Sequence, residues 1–492
     1  MKVSPIESSQ PRGAAGAAAE ETAEWGDFRD HLSTADKKGH RRWIYPRKPC
    51  GRFYRARSYL SWLLLAILFG GPFVRIQGNP LLLFDIVDRR FSICGQIFWP
   101  QDGIVFAVGM LLFFTSILVF TSAFGRLWCG WTCPQTLLME MVFRKIEFWI
   151  EGDGALQRRL AAAPWTAGKI LRKTTKHALF LALSFLIGNT LLSYIIGTEK
   201  LWAIVSDDPR RHLVGLAFMG LFTGLFYVIF ARFREQACIF ICPYGRFQST
   251  IVDDNTLVVA YDYKRGERRG HWQGREDAQD RRAAGMGDCV DCQLCVAVCP
   301  TGIDIRNGTQ MECVSCTACI DACDSVMTKL GRPRGLIRYA SLNSIEQGQR
   351  FRFTTRIWSY CGLLVVLAGI LAFLVFGRSN VATTLLRAPG SLFQQTTSGK
   401  IENLYTLKAV NKTSRDIALE FKLENSRGTL SIMGGEEFIV PKEKLAQTSV
   451  LIELDPADLA TPNMNLTIGV YADGRRIQTI ETVFVGPRNH FP

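Results

Sequence analysis

Five stretches of the chain stay apolar for long enough to cross a bilayer, which takes about 20 residues of helix. They are Tyr59–Ile76, Gly103–Ala123, His177–Gly197, Leu213–Ala231 and Ile357–Gly377. Basic clusters flank them, which argues against buried core helices of a large soluble domain. The first is the least regular, because Gly70, Gly71 and Pro72 interrupt it. After Ser379 the pattern changes to short alternating runs, "LYTLKAV", "IALEFKLE", "TSVLIEL", "LTIGVYA" and "RRIQTIETVFVG", separated by turn formers such as "NKTSRD" and "ADGRR". About seven short strands in roughly 110 residues suggest an immunoglobulin-like β-sandwich. This tail holds no Cys and only His490, so it is read as an interaction module rather than a metal binder. The expected organisation is a multi-domain membrane protein. Residues 1–58 form a basic N-terminal segment and residues 59–231 four spans of an α-helical bundle. Residues 232–356 form a cysteine-rich domain, 357–377 a fifth span, and 378–492 the sandwich.

Charge sets the expected orientation. The chain has 492 residues and a formal net charge of +14. Lys37–Arg57 carries nine Lys/Arg, Gln77–Asp102 only Arg89 and Arg90, Phe124–Lys176 nine again, and Thr198–His212 three. Lys and Arg collect on cytoplasmic loops, so the N-terminus, the second inter-helix loop and Arg232–Arg356 are expected in the cytoplasm and everything after Gly377 outside it. The first 36 residues contain no apolar core of a signal peptide. Neither a helix-turn-helix nor an RNA-binding signature competes for the positive charge, so no nucleic-acid partner is expected.

Candidate chemistry lies in the cysteines. Eight of the 15 fall between Asp288 and Asp324. Cys289, Cys292, Cys295 and Cys299 follow C-x-x-C-x-x-C-x-x-x-C-P, and Cys313, Cys316, Cys319 and Cys323 repeat the spacing with Asp324 in place of Pro. In the bacterial ferredoxin pattern the fourth cysteine of each run ligates the other 4Fe–4S cluster. One cluster is therefore expected on Cys289, Cys292, Cys295 and Cys323, the other on Cys313, Cys316, Cys319 and Cys299. Structural zinc prefers paired knuckles with a longer spacer, and disulfides do not suit a cytoplasmic segment.

A second repeat reads C-x-x-x-C-P: Cys129 and Cys133 in "FGRLWCGWTCPQT", Cys238 and Cys242 in "RFREQACIFICPYGRFQS". Each pair ends an apolar helix, and residues four apart share a helix face, so each could offer two thiolates to one metal. A third iron–sulfur cluster, a Cu(I) site suited to soft thiolates and two pairs of inert thiols are all open. Arg126, Arg232, Arg234 and Arg246 are expected to lower the thiol pKa values, or to meet lipid headgroups. Cys50, Cys94 and Cys361 read as incidental thiols. His177 and His212 flank spans on opposite sides, which disfavours haem.

With "WCGWTCPQT", "CIFICPYGRFQ", "AYDYKRGERRG", "CVDCQLCVAVCPTGIDIRNGTQ" and the tail sandwich, the chain from about His40 onward resembles the cytochrome c oxidase accessory family known as CcoG, FixG or RdxA. The resemblance implies a polyferredoxin of the bacterial inner membrane, its ferredoxin domain cytoplasmic and its tail periplasmic. It also implies support for cbb3-type oxidase assembly through reduction of Cu(II) to Cu(I). Copper ions and the oxidase or its assembly factors would be partners, with an electron donor that the sequence does not name. A homo-oligomer is compatible with this. A more distant similarity to membrane ferredoxins of periplasmic nitrate reduction keeps a quinol-linked electron conduit as an alternative. A non-catalytic assembly scaffold is the other.

Overall fold

A computed structural model describes residue 34 and residues 40–487, apart from 77, 87–89, 100–101, 273–280, 282, 391, 397–398, 414, 434, 436–437, 443 and 460. Residues 1–33 and 35–39, Arg89 and His490 lie outside the described residues. Each apolar stretch forms a helix: α1 Arg52–Gly70, α2 Gly103–Phe124, α3 Ala167–Ile196, α4 Leu213–Val228 and α5 Thr355–Phe376. Together with short flanking turns, these are five helices long and apolar enough to cross a membrane.

Two of them start earlier than their hydropathy suggests. α1 begins at Arg52 rather than Tyr59 because Asp321 receives the amides of Phe53 and Tyr54 at 3.1 and 2.8 Å. α3 begins at Ala167 rather than His177. Its first turns carry lysines that find partners: Lys169 Nζ donates to Ala161 O at 3.0 Å, and Lys176 meets Glu151 at 2.9 Å. Charges paired within the protein do not end a helix, whatever their hydropathy.

The chain divides into two compact units, residues 1–72 with 109–368 and residues 73–108 with 369–492, with boundaries inside α2 and α5. In the first unit, Phe143 stacks on Phe230 (4.5 Å, 7°) and takes the edge of Phe180 (4.8 Å) in the core between α3 and α4. This core joins a buried ionic network. Arg234 meets Glu147 at 2.9 Å, Lys176 meets Glu151 at 2.9 Å, Arg144 meets Glu140 at 3.0 Å, and Arg41 meets Glu235 at 3.2 Å.

In the second unit, Leu82–Asp85, Arg90–Ile93 and Gln96–Phe98 (β1–β3) form an antiparallel meander. Beyond the sequence expectation, this loop belongs with the tail. The buried Asp102 carboxylate meets Arg378 at 2.7 Å and Lys412 at 2.6 Å, and partnering a carboxylate out of water holds the segments together. The cysteine-rich unit likewise includes two strands that sequence pattern did not single out, Val258–Tyr261 (β4) and Ile337–Ala340 (β5), paired antiparallel.

The tail is an immunoglobulin-like sandwich. Its strands are β6 Val381–Arg387, β7 Gln394–Gln395, β8 Ile401–Asn411, β9 Ile417–Leu423, β10 Thr429–Ile432, β11 Phe438–Val440, β12 Leu445–Leu454, β13 Asn463–Ala472 and β14 Arg475–Val485. One sheet has the order β10-β12-β8-β6 with β7 on β8, the other β11-β9-β13-β14. Alternate residues Tyr405, Leu407 and Ala409 of β8 face Leu466, Ile468 and Val470 of β13 in the shared core, the two-residue period of a half-buried strand. The buried Tyr405 hydroxyl donates to Val483 O at 2.9 Å.

Candidate iron–sulfur and thiol sites

The two four-cysteine runs fold into two copies of one backbone. In each, the residues between successive cysteines turn into the left-handed region: Asp291 (φ 47°) and Gln293 (53°) in the first, Ser315 (54°) and Thr317 (65°) in the second. For residues with a Cβ this costs ~1–3 kcal/mol each, most plainly for β-branched Thr317. Strain at matching positions of both runs marks the loops as built around something. The third cysteine of each run opens a helix, Cys295 in Leu294–Ala297 and Cys319 in Ala318–Lys329.

Two cavities result, each with about 350 Å³ of atom-free space that is partly open to solvent. One is lined by Cys295, Cys299, Cys313, Cys316 and Cys319. The other is lined by Cys289, Cys292, Cys295 and Cys323. The fourth cysteine of each run thus stands with the first three of the other. Among the described residues no three His, Cys, Asp or Glu side chains converge as around a single ion. Thiols standing round a space suit a polynuclear cluster rather than one zinc ion, and all fifteen cysteines are free of disulfides.

The β4–β5 ribbon walls both cavities. Val259 lines the first, Tyr261 and Ile337 the second, and Tyr339, opposite Val259, reaches Ser315 O at 3.4 Å. Burial pushes the Cys295, Cys316 and Cys323 thiols up to about 12 and Cys313 up to about 11, and holds Cys319 well above its ordinary value. Loading with metal must therefore expel protons. At Cys316 burial is opposed chiefly by the Arg57 guanidinium.

The C-x-x-x-C-P pairs do not lie on one α-helical face. Cys129 sits in the short helix Leu127–Trp131, whereas Cys133 is the N-cap of the next, Pro134–Leu138. Cys238 lies in a π turn, Ala237–Ile241, and Cys242 caps Pro243–Ile251. The cause is the proline, which drives the preceding residue out of the helical region, to ψ 123° at Cys133 and 112° at Cys242. The four thiols act on one another, Cys133 and Cys242 on Cys129, and Cys129, Cys133 and Cys242 on Cys238, although among the described residues no three of them converge as around a single ion. Gln248, fully buried on the helix after Cys242, places its amide Nε2 3.4 Å from Cys129 Sγ.

Arg126 acts to lower the Cys129 thiol, as the sequence suggested, but burial outweighs it. Burial dominates and pushes Cys129 up to about 11 and Cys238 up to about 12. Arg126 spends its guanidinium on the carbonyls of Met311 and Gly245, and Arg234 on Glu147.

The thiol quartet and the first cavity share a wall. Gly130, between Cys129 and Cys133, lies so close to the loop of Cys313 and Cys316 that a Cβ would stand 2.4 Å from Val314 O and 2.8 Å from Ser315 O. Next to it Trp131 Nε1 donates to the Tyr339 hydroxyl at 3.1 Å. Sequence reading missed Gly130, Trp131, Gln248 and Tyr339. The run of glycine and aromatics inside "WCGWTCP" hinted at Gly130 and Trp131 alone.

Comparison with known proteins agrees with this division. A family described as a 4Fe-4S dicluster domain matches residues 233–342, a 4Fe-4S binding domain residues 106–152, and the IG-like fold at the C-terminus of FixG residues 371–487. The chain is 32% identical over 437 residues to the nitrogen fixation protein FixG of Rhizobium meliloti, covering 80% of this chain and 82% of that protein. It is 33% identical over 473 residues to protein RdxA of Cereibacter sphaeroides, covering 91% and 98%. Among solved structures, a FixG-related protein from Vibrio parahaemolyticus is 18% identical, with a TM-score of 0.20, covering 22% of this chain and 97% of that one.

Proposed function

Because the chain belongs to the FixG/RdxA family and is a membrane iron–sulfur electron-transfer protein, we propose that it reduces Cu(II) to Cu(I) for assembly of a cbb3-type oxidase. The observation that carries this reading is the contact at Gly130, which sets Cys129 and Cys133 against the loop of Cys313 and Cys316. When bound, the clusters supply single electrons. One would be held by Cys289, Cys292, Cys295 and Cys323, the other by Cys299, Cys313, Cys316 and Cys319. Cys129, Cys133, Cys238 and Cys242 receive the copper ion. Cu²⁺ takes up one electron to become Cu⁺, and soft thiolates favour the reduced ion. Gln248 steadies Cys129, and the glycine at 130 keeps the two sites in backbone contact. The cysteine-rich domain faces the cytoplasm and the sandwich the periplasm, as the Lys/Arg distribution supports. There the sandwich meets the oxidase or one of its assembly factors.

The test is the quadruple Cys→Ser variant at 129, 133, 238 and 242. It is expected to lose Cu(I) binding and copper reduction while keeping the EPR signals of both clusters. Copper reduction at the normal rate overturns the assignment. A second reading, a third cluster on the four thiols, is favoured by the 4Fe-4S binding match over residues 106–152, which holds Cys129 and Cys133 but none of the eight other ligands. Iron analysis separates the two: about eight irons per chain for two clusters, about twelve for three.

A further inference from the structure

α1 carries a charge that its surroundings leave unanswered. Arg57 is 3% exposed, forms no ion pair among the described residues, and its Nη2 has no hydrogen-bond partner. Burying a guanidinium without an anion is costly. Its position is fixed by the docking of α1 on the helix Ala318–Lys329. Asp321 receives the Phe53 and Tyr54 amides, Arg52 meets Asp324 at 3.3 Å, and the Phe53 ring sets its edge on Tyr339 at 6.3 Å. Arg57 follows Phe53 by four residues on the same face of α1, behind the lining of the cavity of Cys299, Cys313, Cys316 and Cys319, and its charge is the foremost one acting on Cys316. Its charge also acts on Lys145 and on Tyr54, where the Glu140 carboxylate acts as well. The other cavity differs. Its lining cation, Arg306, is already bound to Asp304 at 2.6 Å and to Asp291.

We propose that Arg57 is the counter-charge of the cluster held by Cys299, Cys313, Cys316 and Cys319, raising its reduction potential above that of the cluster held by Cys289, Cys292, Cys295 and Cys323. One electron then passes downhill from the reduced second-named cluster to the oxidised first-named one, with no bond made or broken. It collects beside Gly130, at the exit toward the thiol quartet. The exit rests on the copper reading above, whereas the ordering of potentials rests only on cluster binding.

The test is a redox titration of the full-length, anaerobically purified protein followed by EPR. Arg57→Gln is expected to lower one midpoint, that of the signal abolished by Cys316→Ser. The equilibrium constant for its one-electron reduction should fall about tenfold, or ~59 mV. The other midpoint stays in place, and Arg57→Lys retains both. Unchanged midpoints in Arg57→Gln, a shift in the other signal, or an equal shift in Arg57→Lys overturns the proposal. Arg57→His repeats the measurement within one folded protein. Between pH 5 and 8 its imidazole loses charge, and the same midpoint must fall more steeply than in the wild type; a parallel course overturns the proposal. Absence of two EPR-active clusters in the wild type would defeat the cluster assignment instead. Normal copper reduction by the quadruple cysteine variant would defeat only the exit.

Discussion

Gly130 and Glu147 show how single side chains decide close approach and charge balance in this protein. At Gly130 the added methyl of Ala would meet two backbone carbonyls at 2.4 and 2.8 Å, and backbone cannot turn aside as a flexible side chain does. Gly130→Ala is therefore expected to push the short helix off the cluster loop. Misplacements of about 1 Å can cost rates as much as ~100-fold. Copper reduction, followed by a Cu(I)-specific chelator, should fall at least about tenfold while both cluster spectra persist. Glu147 is a different case. Burial opposes its ionisation, but Arg234, Lys176 and Arg144 outweigh burial and hold its carboxyl below the usual range. A carboxyl whose pKa is depressed on folding stabilises the fold above its unfolded value near pH ~4.3 and loses that contribution as pH falls through the folded value. Glu147→Gln should cost ~3–5 kcal/mol at neutral pH, since it removes the partner that meets both terminal guanidinium nitrogens of Arg234 and leaves that buried charge only the more distant Glu235, at 3.8 Å. Thermal unfolding in detergent should show the gap to wild type narrowing below about pH 4.3.

Among elements, the junction of α1 with the helix Ala318–Lys329 does the most. Cys319 and Cys323 on that helix face the two cavities, while Asp321 and Asp324 on the same helix bind α1. A membrane helix and a cluster helix are thereby held as one piece. Asp324, at the position where the first run has Pro300, also accepts the Gly335 amide at 2.9 Å, which ties in the chain leading to β5. Asp321→Ala leaves two amides of α1 uncapped and should destabilise by ~0.5–2 kcal/mol. Hydrogen exchange should quicken at Phe53 and Tyr54, and Asp321→Asn should restore part of the protection.

At the scale of the molecule, five hydrophobic helices separate basic from less basic loops, and the sandwich follows the last of them. A reporter fused after Arg356 is expected to read as cytoplasmic and one after Asn380 as exported. Identical readings would mean that α5 does not cross. The spans, the sandwich and the cysteine runs were legible in the chain because each depends on local pattern: apolar length, two-residue alternation, and ligand spacing repeated within a few turns. The resemblance to a known family rested on the same short motifs. Other features depend on residues far apart in sequence, and no periodicity announces them. Hydropathy treated Arg52, Lys169 and Lys176 as ends of helices, whereas folding supplies Asp324, the Ala161 carbonyl and Glu151 as their partners. Arginines near the C-x-x-x-C-P thiols read as activating charges, yet desolvation outweighs them once the chain is packed. Gly130 reads as one small residue among aromatics until the loop of Cys313 and Cys316 comes to rest against it. Local pattern determined what the parts are; packing, which brings distant charges and carbonyls within reach, decided how they are joined.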